Sequence, residues 1–240
     1  MRSIAKKEWQ QFFSSLSGYL AIILFLLLNG LFLFVLKDSN IFDYGYATLD
    51  RFFELAPWVL VFLVPAITMR SFSDEFRTGT FELLQTRPLS GWDIVGGKFL
   101  ATLLVLLVVI LPTLVYVLTI QQLSATGVID GGGIAGSYIG LFFLAATFAA
   151  IGLFCSCLTA NPVIAFLLAA FVCLLAYFGF GALSRLPLFE GGADYYIDMF
   201  GIHVHYQSMS RGLLDSRDLV YFLSLIFLGL FLSVQVIRRK

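Results

Sequence analysis

Charge is what this sequence holds least of. Asp, Glu, Lys and Arg make up 12% of its 240 residues, against roughly 25% in a soluble domain. Apolar residues reach 60% and aromatic residues 16%, more than one water-soluble core absorbs but what a bilayer accommodates. Formal net charge is zero, which leaves no global electrostatic case for a nucleic-acid partner. Cysteine is scarce and odd in number. Cys155, Cys157 and Cys173 all sit in long apolar runs, which excludes a disulfide framework and reads as small packing residues.

Ionisable groups are missing from the apolar interiors of the long runs. That argues against proton- or ion-coupled transport and charge-sensing gates, which need intramembrane partners for the ion. No HExxH pair marks a membrane protease. The two histidines, His203 and His205, lie in a loop and lack a third ligand. They could bind a metal only if that loop forms a strand, and a solvated or interfacial loop fits better. A phosphate loop is absent too: Gly96-Gly97-Lys98 imitates the end of one, but Trp92 replaces the first glycine and Phe99 the Ser/Thr. Catalytic, metal and cofactor sites are therefore not expected, and any energy for uphill movement comes from another subunit.

What is present is a series of apolar runs. A helix needs about 20 mainly apolar residues to cross the hydrocarbon, and spans are expected near 17–36, 55–70, 98–120, 134–158, 162–182 and 219–237. The first is too long for a signal-peptide core and is followed by Lys37-Asp38 rather than a cleavage site. The second is the weakest, interrupted by Pro57 and by Pro65, where a kink is expected. The fourth and fifth meet at the turn Thr159-Ala160-Asn161-Pro162. Gly136-Ser-Tyr-Ile-Gly140 permits close approach to a neighbour in this chain or another copy. With the N-terminus inside, ten Lys/Arg fall on inner segments and five on outer ones, so the positive-inside rule places both ends in the cytoplasm. The fold class is all-α: a polytopic membrane protein of six transmembrane helices, forming one domain over 1–240.

Two segments outside the spans are organised. Over residues 1–16, Ile4, Trp9, Phe12, Phe13 and Leu16 share one helical face, and Lys6, Lys7 and Gln10 the other. This predicts an amphipathic helix in the inner membrane interface, lysines toward the headgroups. In 71–88, Ser71 with Asp74 can cap a turn carrying Phe72 and Phe76. Gly79 breaks it, and a second short helix runs from Thr80 to Thr86, ended by Pro88. Ser90-Gly-Trp-Asp93 is a further capping box. Apolar side chains on this charged segment either dock into a partner or pack on the membrane and the protein's own spans.

The run Arg70-Ser-Phe-Ser-Asp-Glu-Phe-Arg-Thr-Gly-Thr-Phe-Glu-Leu-Leu84, with Thr86-Arg-Pro-Leu-Ser90 and Gly97-Lys-Phe-Leu-Ala101, resembles the intracellular loop of type-2 ABC exporter permeases. The likeness covers essentially the whole chain and is most similar to gliding-motility permeases of the Gld F type. The resemblance implies a cytoplasmic coupling helix that enters a cleft of a separate ABC ATPase subunit, with Phe76, Thr80, Phe81, Glu82, Leu83 and Leu84 in contact. It also implies pairing with a second copy or a related permease, an inner (plasma) membrane location, and short re-entrant helices in the outer loop, 183–218. A non-transporting anchor of a motility or secretion complex is the rival reading, and a passive channel the third.

Overall fold

The computed structural model describes residues 1–36, 48–82, 89–123, 130–186, 192–212 and 215–239, and among these every regular element is a helix. Helix α1 (Arg2–Ser14) meets α2 (Leu16–Phe34) at a bend of 69°. The 19 residues of α2 span about 28 Å at 1.5 Å per residue, close to the hydrocarbon thickness. Five further stretches are long and apolar enough to cross a membrane, and counting the bent α1–α2 pair as one span brings the candidates to six.

The second of the six departs from the sequence expectation. Helix α3 (Asp50–Thr68) continues almost directly into α4 (Arg70–Thr78), a 29-residue rod instead of a short 55–70 span. It runs helically through both prolines, and its break falls at Met69, four residues past Pro65. Tertiary packing explains this: Pro57 and Pro65 are both buried, and neighbouring helices sustain a proline-containing helix in a membrane.

The third span starts seven residues earlier than expected, as α5 (Gly91–Ile110), and continues through a 3₁₀ turn around Pro112 into α6 (Leu114–Leu123). Ser90 Oγ accepts from the Asp93 N–H at 3.1 Å, and Asp93 accepts from the Ser90 N–H at 3.2 Å, the capping box expected there. The fourth span is α7 (Gly131–Leu158). The fifth is α8 (Pro162–Leu174), continued through a π-turn into α9 (Phe180–Ser184). Asn161 caps α8 by accepting from the Val163 N–H, with Pro162 in the first turn. Two short helices, α10 (Ala193–Met199) and α11 (Ile202–Ser210), precede the last span, α12 (Ser216–Arg239).

Helix α7 is the hub. It packs against α3, α4, α5, α8, α11 and α12, and 72% of its apolar window is buried, against 28% for the α8–α9 span and 33% for α12. Its small residues allow this. A Cβ at Gly140 would lie 2.8 Å from Met209 Cβ, and one at Gly136 2.9 Å from Gly212 Cα. The neighbour that the GxxxG serves is therefore the end of α11, in this same chain. One level lower, Gly152 admits Thr68 of α3, and Gly229 of α12 sits against the Ala150 backbone.

Helix α1, the start of α5 and the end of α12 share one end of the molecule. Ile4 closes on Gly97, and Gly91 faces Val234 and Arg238. The α10–α11 pair covers the opposite end, where Ser137 of α7 donates to the Ser210 carbonyl at 2.7 Å.

Candidate functional site

The helix α4 lacks a cap of its own. Ser71 and Asp74 do not cap it as the sequence suggested, because the chain enters α4 directly from α3 through Met69. The missing cap comes from α7. Ser156, fully buried, accepts from the N–H groups of Phe72 at 3.0 Å and Ser73 at 3.2 Å, and donates to the Met69 carbonyl at 3.0 Å. One donor and two acceptor lone pairs are all a hydroxyl has, and all are used. Ser73 Oγ also donates to the Met69 carbonyl.

The other face of α4 is pinned by charge. Lys98 was counted with the basic residues of the loop. It lies instead inside α5, about 10 Å from the helix start by rise, and is 2% exposed. Each hydrogen of its ammonium finds an oxygen: Glu8 Oε1 of α1 at 2.8 Å, Glu75 Oε1 of α4 at 2.9 Å, and the Ser71 carbonyl at 2.6 Å. The Phe72 ring lies 4.9 Å from Nζ. Lys7, its side chain 59% exposed, also approaches the same Glu75 oxygen, at 3.5 Å. The second Glu75 oxygen is buried without a hydrogen-bond partner. A buried cation is tolerable only with compensation of this order. The sequence reading missed the network because its members are far apart in the chain. The one local signal was a lysine standing next to an apolar run.

The residues expected to meet a partner divide into two groups. Phe81 is 5% exposed and packs edge-on against Phe76, centroids 4.9 Å apart. Phe76 in turn stacks near Phe72, which is fully buried. These rings fasten the segment to the body of the protein. Thr80 and Glu82 are exposed, and Gly79, at φ +69°, ends α4 in the left-handed region that glycine adopts without cost. The helix expected over Thr80–Thr86 is described only at its start: Phe81 and Glu82 are helical, and Leu83, Leu84 and Pro88 lie outside the described residues.

At the opposite end the histidines sit on a helix, α11, rather than a strand. His205 Nδ1 lies 2.7 Å from Asp218 and Nε2 2.8 Å from the Met199 carbonyl, and its ring stacks on Tyr221. Both nitrogens are engaged, so His205 offers no metal a free lone pair. Burial holds the His203 imidazole below its ordinary pKa, with Asp198 opposing and Arg185 adding to the shift. Among the described residues no three metal-ligating side chains converge.

The arrangement is a long helix held at fixed points. A rod that spans the molecule ends in an exposed acidic tip, clamped to the hub helix by one hydroxyl and to two other helices by one lysine. No curated protein matches this sequence. A family model for ABC-2 family transporter proteins matches residues 2–193, which takes in α1, the first five spans and all of the α4 segment. The chain belongs to the ABC-2 family of transporter proteins, as a multi-span membrane permease that works with an ABC ATPase subunit.

Proposed function

We propose that this permease belongs to an ATP-driven exporter, and that residues 71–88 carry motion from a separate ATPase into the membrane. The observation that supports this most is the continuity of α3 and α4. Force applied at Glu82 acts on a helix that is itself a span, and through Ser156 and Lys98 it reaches α7, α5 and α1 without crossing a flexible joint.

In this reading Thr80, Glu82, Leu83 and Leu84 meet the ATPase, while Phe76 and Phe81 hold the tip in register. The end carrying α1, α4 and residue 239 is cytoplasmic, in agreement with the two-to-one bias of Lys and Arg. Helix α1 lies in the inner interface, as its 69° bend from α2 allows. The broad apolar faces left on α2, α8 and α12, such as Ile23, Leu167 and Phe227, serve lipid and a second permease, identical or related, and cargo passes between the two. The location is the inner (plasma) membrane. The loop's resemblance to gliding-motility permeases supports a role in surface motility.

The test is co-purification of the permease with its ATPase in detergent, followed by measurement of stimulated hydrolysis. Glu82→Lys should lower stimulation at least about tenfold, the effect of losing roughly 1.4 kcal/mol at an interface, with folding unchanged because Glu82 is exposed. The double variant Glu82→Ala, Phe81→Ala should abolish association. Wild-type binding and hydrolysis in both variants would rule the coupling role out, and the anchor reading would then stand.

A further inference from the structure

A cavity of about 360 Å³ lies under the elbow between α1 and α2, within the roughly 300–1,000 Å³ of pockets that enclose small molecules. Its wall is apolar: Leu20 and Leu24 of α2, Leu63 and Ile67 of α3, and Val105 of α5. Leu20 and Leu24 are each about half exposed, 54% and 50%, so the protein itself leaves the α2 side of this wall uncovered. The rim at the α1 end carries Glu8, Arg70, Asp74 and Lys98.

The charges of the rim are not equivalent. Glu8 is committed to Lys98 at 2.8 Å, and Lys98 has no hydrogen left to donate. Asp74 is paired with Arg77 at 3.1 Å. Arg70 has neither an ion-pair nor a hydrogen-bond partner among the described residues. Asp74 Oδ1 makes no hydrogen bond, but Arg77 stands beside it, whereas Arg70 has no counter-ion among the described residues, and its planar guanidinium fork suits a phosphate. A free phosphate would satisfy Arg70 and leave the wall uncovered. An amphiphile satisfies both, since the polar rim and apolar wall reproduce the division of a lipid between headgroup and chain.

We propose that this cavity is a phospholipid site, with the phosphate at Arg70 and one acyl chain along the wall formed by α2, α3 and α5. The bound lipid fills the angle of the elbow and lies beside Lys98 and Ser71, so it supports the ion-pair link of α1 to α4. The site does not depend on the transport reading, and its test reads binding alone.

The full chain, delipidated in detergent, is titrated with phosphatidylglycerol and followed by native mass spectrometry. One lipid should bind above the non-specific ladder. Arg70→Gln, at an exposed position, should weaken that event about tenfold, the loss of one charge-assisted contact. Ala66→Leu, which fills the cavity from an exposed position on α3, should weaken it comparably, and millimolar inorganic phosphate should leave it unchanged. Equal lipid affinity in wild type and both variants overturns the proposal. So does displacement by phosphate, which would make Arg70 a simple anion site. Matched thermal unfolding of the lipid-free variants establishes that each is folded.

Discussion

At the scale of single residues, the two that organise the candidate site, Ser156 and Lys98, were not singled out by the sequence. Ser156 stands between two buried cysteines and reads as one more small residue in a packed helix. Its role depends on Met69, Phe72 and Ser73, more than eighty positions away, and no local pattern carries that information. Replacing it with alanine strands two buried N–H groups and weakens the hold on one carbonyl. At about 1–3 kcal/mol for each stranded group, Ser156→Ala should destabilise α4 by roughly 2–6 kcal/mol. Amide exchange across residues 70–78 checks this. Protection there should fall by more than in α8, and an even loss along the chain would show that the hydroxyl has no special hold on α4.

Among the elements, legibility followed how local the cause is. The capping box at Ser90–Asp93, the Asn161-Pro162 start of α8 and the glycine stop at Gly79 were all readable, because each is made by neighbours in sequence. The length of the second span was not, because two prolines and flanking charges obscure a helix that burial sustains. The link among α1, α4 and α5 was invisible for the same reason as Ser156. That link makes a definite demand on energetics. Lys98→Met leaves Glu8 without its cation and Glu75 with only the exposed Lys7, and breaking a buried pair in this way costs about 3–5 kcal/mol. The triple variant Glu8→Leu, Glu75→Met, Lys98→Met removes all the buried charge and should recover most of that loss. Thermal unfolding in detergent decides it. If the triple variant is no more stable than Lys98→Met, the charges are not acting as one unit.

The whole molecule is best described by which end each element occupies. Residues 1–14, α4, the start of α5 and the end of α12 share one end, and α10 and α11 cap the other. An even number of crossings is what this shared end requires, and six is the number expected from the apolar runs. Thr78 and Gln207 are exposed at opposite ends, while the native cysteines are fully buried and should label poorly. In inverted membrane vesicles, Thr78→Cys should react with an impermeant maleimide and Gln207→Cys should not, and in right-side-out vesicles the order reverses. The opposite pattern would invert the orientation and remove the tip of α4 from any cytoplasmic motor.

The position of Lys98 along the chain also bears on how the protein is made. Glu8 and Glu75 leave the ribosome before it, so the growing chain carries both carboxylates with only the exposed Lys7 beside them until the third span is synthesised. Chains build from the N-terminus, and α1 and α4 cannot settle until α5 arrives to neutralise them. A product that stalls before residue 98 therefore lacks the buried lysine that ties Glu8 of α1 to Glu75 of α4.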